Sequence, residues 1–171
     1  MPEPRILIFG CGGIGGYVSA MLTKGGADVT VVDIWPEHVT RIQDSGLQVK
    51  CAYNKETYLV PVKALHLHQL QGQDLFDFAF VCVKSYDTKW AAMCCRNYLK
   101  PEGAFVSFQN GINEYALAET VGAKNCLGCA ILIAAACFEP GHVERYDTRA
   151  SPFHFGEQTG PATPVSNSVW Q

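Results

Sequence analysis

Gly10, Gly12 and Gly15 stand in the spacing Gly-x-Gly-x-x-Gly, directly after the apolar run Arg5 to Phe9. A chain that turns sharply, meets a phosphate and then starts a helix needs glycine at those three places. Gly10 permits the tight turn, Gly12 lets the backbone approach a pyrophosphate, and Gly15 lets the helix lie close on the strand. Cys11, Gly13 and Ile14 complete the loop and the first helical turn, whose free N–H groups and partial positive charge favour an anion. Glycines in this pattern also occur in purely structural turns. Here the pattern follows a strand, opens a helix and has an acid at the end of the next strand, which is the context of dinucleotide binding.

That acid is Asp33, 21 residues beyond Gly12. A carboxylate there can accept hydrogen bonds from the adenosine ribose and repels a 2′-phosphate, so it favours NAD over NADP. Read differently, Asp33 is an ordinary turn or helix N-terminal acid, and Arg41 is a candidate basic counterweight. Lys84 and Asn110 each follow an apolar run, Phe78 to Val83 and Ala104 to Phe108. The carboxyl ends of parallel strands are where open α/β sheets bind ligands. Lys84 can orient a carboxylate or carbonyl oxygen, and Asn110 can bond a nicotinamide ribose or a substrate hydroxyl. By spacing alone they read equally well as a solvated lysine and an Asn-Gly turn.

The elements that must position these groups follow from apolar periodicity. Arg5 to Phe9 predicts a buried strand, and Ile14, Val18, Met21 and Leu22 share one helix face that stops at Gly25-Gly26. Val29 to Val32 predicts a second strand, Pro36 to about Asp44 a helix, and Leu47 to Cys51 a third strand. This β-α-β-α-β order predicts a parallel sheet with helices on both faces. Tyr58 to Val62 reads as one edge strand because of Pro61. Phe78 to Val83 suits a central strand, and Trp90, Cys94 and Tyr98 predict a helix to about Leu99. Pro101-Glu-Gly103 reads as a turn, Ala104 to Phe108 as a strand, and Ile112 to Val121 as a helix. Leu127 to Ala136 is strand-like in part. His142 to Tyr146 and Pro152 to Phe155 are expected to pair as a terminal antiparallel hairpin. The fold class is thus α/β, a Rossmann-type doubly wound, mostly parallel sheet with a C-terminal hairpin. One dinucleotide-binding domain is expected over residues 1–160, with 161–171 a polar linker or the start of a further domain.

With 171 residues, 48% hydrophobic and 17% charged, the chain has the composition of a folded domain. Its net charge of −3 and the lack of a basic run argue against a nucleic-acid partner. The longest apolar stretch, Leu127 to Phe138, is short for a membrane span of ~20 residues, and no signal-peptide pattern opens the sequence. A cytoplasmic location is expected. The eight cysteines sit in apolar contexts and read as small buried hydrophobes in a reducing compartment. Cys126-Leu-Gly-Cys129 has the form of a redox or metal pair, but in a strand its two thiols face opposite sides, and no second pair completes a metal set. His66 and His68 alternate as in a strand and lack a third ligand. Trp90 suits a helix core position, and Glu114 a first helical turn.

Four segments together, Gly10-Cys-Gly-Gly-Ile-Gly-Gly16, Val83-Lys-Ser-Tyr-Asp-Thr88, Gln109-Asn-Gly-Ile112 and Phe155-Gly-Glu157, resemble the N-terminal domain of the ketopantoate reductase family. The resemblance covers about Arg5 to Gly160. It implies hydride reduction of a small 2-oxo acid, typically 2-dehydropantoate to pantoate, with NADPH. It also implies that Lys84 touches the substrate or nicotinamide side and that Asn110 helps hold cofactor and substrate. Two departures stand out. Asp33-Ile-Trp35 occupies the place where the family carries a basic residue for the 2′-phosphate. The chain also ends at Gln171, about where the family's helical C-terminal domain, with its proton-donating lysine, begins. The expectation is therefore a cofactor-binding half, incomplete for catalysis alone, with an apolar face open to a missing second domain or to self-association. A non-catalytic NAD(P)-binding sensor and a dehydrogenase of another 2-oxo acid are the alternatives.

Overall fold

A computed structural model describes residues 3–147 and 153–157. The first half runs β1 (Arg5–Phe9), α1 (Gly13–Lys24), β2 (Asp28–Asp33), α2 (Pro36–Ser45), β3 (Leu47–Cys51), β4 (Thr57–Val60) and β5 (Lys63–His66). The second half runs β6 (Phe76–Val81), α3 (Thr88–Cys95), β7 (Leu99–Ser107), α4 (Glu114–Val121), β8 (Cys126–Ala130), β9 (Ala135–Glu139), β10 (His142–Arg145) and β11 (His154–Glu157).

Seven strands form the main sheet in the order β11-β8-β7-β6-β1-β2-β5. All its pairings are parallel except β11 against β8. Alternation along each strand divides its side chains between two cores. Ile6 and Ile8 of β1 join Val18 of α1 and Val39 and Ile42 of α2 on one face. Leu7 and Phe9 join Ala91 and Ala92 of α3 and Leu117 of α4 on the other. Helices on both faces of a parallel sheet are the doubly wound arrangement expected from the sequence. Strand order reverses between β1 and β6, which opens a crevice at their carboxyl ends.

Several local expectations are corrected. β3 does not extend the main sheet. It lies in a second sheet of order β4-β3-β10-β9, pairing parallel with β10, and β5 takes the expected third-strand place beside β2. Its inward residues Leu47 and Val49 still bury, but into the core beneath α1. The Tyr58 to Val62 run divides at Pro61, because proline cannot donate to a ladder. The terminal hairpin joins β9 to β10 across Pro140-Gly141, whereas β11 pairs with β8 in the main sheet. Pro101-Glu-Gly103 is no turn. It lies inside β7, with Pro101 and Glu102 exposed and Gly103 buried, where the register against β6 slips between Phe76 and Phe78. Such an irregularity accommodates a proline that cannot pair. The helix ending near Leu99 stops at Cys95, and the one starting at Ile112 begins at Glu114. His66 closes β5 while His68 lies in a 3₁₀ turn, yet their rings stack with centroids 5.7 Å apart. The expected linker over 161–171 lies outside the described residues.

Candidate functional site

The carboxyl ends of β1, β2, β6 and β7 are stitched sideways one residue past each strand or so. The Gly10 N–H donates to the Val32 carbonyl, the Cys82 N–H to Phe9 and the Phe108 N–H to Val81, at 2.8–2.9 Å. These bonds fix the floor of a cleft of about 620 Å³. Gly10, Gly12, Gly13, Ile14, Asp33, Lys84 and Asn110 all border it, although they are spread over a hundred residues of sequence. Cys11 and Gly15 do not. Cys11 points its thiol into the core, and Gly15 is buried where helix meets strand.

Each glycine has a distinct setting. Gly10 turns the chain at a φ of +97°, a conformation that side chains disfavour. Gly12 caps α1, and nothing lies within 4 Å of where its Cβ would stand, so its backbone is open to the cleft. A Cβ on Gly15 would collide with the Gly10 carbonyl oxygen, so α1 rests on the turn itself. A Cβ on Gly13 would strike the Ala135 carbonyl, because the segment Ile133 to Ala135 forms the wall facing the loop. That wall is fastened from behind: the Ala134 N–H donates to Asp147 Oδ2 at 2.6 Å, and the Tyr146 N–H donates to the Ala134 carbonyl. Asp147 is in turn ion-paired to Arg145, whose guanidinium stacks over the Tyr17 ring of α1.

Asp33 closes the loop from the β2 side. Its Oδ2 accepts the Cys11 N–H at 2.6 Å and its Oδ1 accepts the Trp35 N–H at 2.9 Å. A carboxylate offers about four lone-pair positions, so capacity for a ligand remains. Arg41 does not serve as a counterweight to it. Arg41 lies against Gly141, over a separate hollow shared with Glu37 and Asp44. Lys84 is exposed, ahead of a 3₁₀ turn over Ser85–Asp87, and is the one cation among the described residues that line the cleft. Asn110 is exposed beside it, with its carbonyl accepting from the Asn113 side chain at 2.9 Å.

Gln109 holds these two loops together. Its Nε2 donates to the Val83 carbonyl at 2.8 Å, part-buried, and to Thr88 Oγ1 at 2.9 Å, buried. Thr88 Oγ1 donates on to the Ser85 carbonyl. Gln109, Thr88, the Ile133–Ala135 wall and the Asp147 fastening were not legible as site elements from spacing. The one signal was a buried-type polar residue, Gln109, ending an apolar strand.

All eight cysteines are free thiols, and Cys82 is the one that borders the cleft. Burial pushes the Cys11 thiol well above its ordinary range, with the Asp33 charge adding to it. Cys126 and Cys129 face opposite cores, and burial, helped by Glu114, pushes both up to about 12. No group of three or more His, Cys, Asp or Glu side chains among the described residues could hold a metal. No helix among them is long and apolar enough to cross a membrane.

Residues 6–159 match the family model "Ketopantoate reductase PanE/ApbA". The chain is 35% identical over 141 residues to 2-dehydropantoate 2-reductase of Halobacterium salinarum, covering 81% of this chain and 45% of that protein. A crystal structure of 2-dehydropantoate 2-reductase from Geobacter metallireducens superposes with a TM-score of 0.81 at 25% identity, covering 96% of this chain and 53% of that one. D-mandelate dehydrogenase, solved with NADH and anilino(oxo)acetate, shares the fold with a TM-score of 0.75 at 22% identity, over 84% of this chain and 46% of that one. The chain spans about half the length of the curated relatives it matches. With nearly the whole chain matched, and a glycine loop facing Lys84 and Asn110 across one cleft, the chain belongs to the ketopantoate reductase PanE/ApbA family.

Proposed function

We propose that the protein binds a nicotinamide dinucleotide in this cleft and forms the cofactor-binding part of a 2-oxo acid reductase, with 2-dehydropantoate as the first substrate to test. The observation that carries the reading is the convergence of Gly12, Asp33, Lys84 and Asn110 on one cleft at the strand-order reversal. The cleft fits the cofactor where it matters most: the Gly12 backbone is open, and α1 starts there with its first N–H groups free of helical partners. When bound, the reduced nicotinamide supplies the hydride. Lys84 would hold the substrate's carboxylate or stabilise the negative charge growing on its carbonyl oxygen. Asn110 would bond a ribose or substrate hydroxyl. Asp33 would accept from the adenosine ribose, and the Ile133–Ala135 wall would exclude water from the loop. The free thiols fit a reducing cytoplasm. Exposed Ile112, Tyr115 and Leu132, at the rim of an adjoining hollow, offer a face that a second domain or another copy would cover.

Nicotinamide absorbance followed with 2-dehydropantoate and other 2-oxo acids tests this reading. The chain is expected to bind the cofactor yet turn over very poorly, because the opposite wall of the cleft and a proton donor are not supplied by its described residues; a turnover number in the ordinary enzyme range, lost on Lys84→Ala, would overturn the half-enzyme reading. Tight binding without turnover fits the cofactor-binding part of a larger enzyme and a non-catalytic NAD(P)-binding module alike, whereas binding of neither NADH nor NADPH would sink both.

Cofactor preference follows from Asp33. NADH is expected to bind more tightly than NADPH, because the carboxylate would face a 2′-phosphate with Arg41 turned elsewhere. In Asp33→Ser the ratio of the two dissociation constants should narrow roughly tenfold, about 1–2 kcal/mol of charge repulsion in a partly solvated site. Parallel calorimetric titrations measure the ratio. A wild-type protein that already prefers NADPH strongly would sink the assignment.

A further inference from the structure

His38 sits one turn into α2, only 1% exposed, stacked on the Trp35 ring with centroids 5.4 Å apart. Its two ring nitrogens make opposite kinds of bond. Nε2 lies 2.9 Å from the Cys11 carbonyl oxygen, which can only accept. Nδ1 lies 2.9 Å from the Gly141 backbone N–H, which can only donate. Both bonds coexist in one protonation state alone, the neutral ring with its proton on Nε2. The Cys11 peptide is thereby gripped at both ends, its N–H by Asp33 and its carbonyl by His38. Cys11 is the residue between Gly10 and Gly12, so these two bonds set the path of the loop. The bond to Gly141 ties that path to the β9–β10 turn, and β9 begins at Ala135 in the wall that faces Gly13.

We propose that His38 is a positioning residue for the dinucleotide site: its neutral Nε2–H form clamps the glycine loop to the β9–β10 turn, and protonating it releases the turn and weakens cofactor binding. The inference rests on the dinucleotide reading above. A protonated ring has two donors and no acceptor, so the Gly141 N–H would face an N–H at close range. The charged and titratable groups around the ring are Asp33 at the end of β2, Cys11 in the loop, Cys137 in β9 with its Sγ 3.7 Å from Nδ1, and His142 in β10. Burial holds the imidazole below its ordinary value of 6.5 and His142 adds to this, against the opposing pull of Asp33 and of the Cys11 carbonyl. With the folded value depressed, the clamp is complete above pH 6.5. It is lost as the pH falls through the folded value.

Fluorescence titration of the full chain with NADH between pH 8 and pH 5 tests the proposal, with nitrogen NMR of the imidazole as a readout independent of ligand. Wild type should show a proton on Nε2 and lose about tenfold in affinity on the acid side. His38→Gln keeps a donor and an acceptor without titrating, so it should bind with a much flatter pH profile. His38→Leu should bind about tenfold more weakly already at pH 8. A folded His38→Leu variant with wild-type affinity and an unchanged pH profile would overturn the proposal. Should that variant fail to fold, a wild-type ring protonated on Nδ1 would overturn it equally. Wild-type protein that binds neither NADH nor NADPH at any pH would overturn the dinucleotide reading itself, and this inference with it.

Discussion

Replacing Gly12 with valine is expected to abolish dinucleotide binding in a protein that still folds. The Gly12 φ of −72° suits any residue, and a Cβ there meets no atom within 4 Å. The fold therefore has little to lose. The site has a great deal to lose, because the new side chain would fill the space that the backbone must share with a pyrophosphate. At least a hundredfold loss of NADH affinity, about 2.7 kcal/mol, is expected by calorimetry, with an unchanged circular dichroism spectrum. Unchanged affinity in the folded variant would refute the role of the loop.

Gly15→Ala should do the reverse, costing the fold more than any surface change. The added methyl would overlap the Gly10 carbonyl oxygen and press on the Cys82 side chain. Neither is the loose end of a flexible chain. Gly10 is stitched to Val32, and the Cys82 N–H to Phe9, so α1 must lift off the sheet. Overpacking typically costs about 1–3 kcal/mol, and a clash with backbone belongs at or above the top of that range. Denaturant unfolding should show a loss of ~3 kcal/mol or more. A midpoint within experimental scatter of wild type would mean that α1 does not rest on the turn. The two glycines, three residues apart, are thus expected to separate binding from packing.

The different settings of the two glycines, one open and one packed, were legible in the sequence, because the Gly-x-Gly-x-x-Gly spacing is itself a record of local backbone needs. β1, α1, β2 and α2 were legible for the same reason, since their apolar periods and stop signals lie within each segment. Lys84 and Asn110 could be brought together from strand ends alone, by the rule that parallel strands share one ligand-binding edge. β3 defeated that logic. Leu47, Val49 and Cys51 alternate just as they would at the edge of the main sheet, and the partner that decides the matter, β10, lies far along the chain. The hairpin failed likewise: β10 and β11 both look like free strands, and only β8 and β9 tell them apart. His38 was invisible as a positioning residue because it holds the carbonyl of Cys11, and every residue has a carbonyl, while Gln109, which holds that of Val83, showed only as a polar residue following an apolar strand. A side chain's bond to backbone leaves no trace in the identity of its partner.

The pairing of β3 with β10 also has a kinetic side. Joining Gln48 to His142 closes a loop of roughly 90 residues, and the entropy of that closure is spent before the small sheet gains anything in return. The main sheet shortens the search. Once β1, β2, β6, β7 and β8 have paired, the ends of β3 and β9 are already held over α1, where Val49 and Val143 find one shared core. The small sheet is therefore expected to form late, on a main sheet already in place. The turn it delivers, at Gly141, is the one that reaches His38, so the glycine loop is expected to take its final shape at the end of folding rather than at its start.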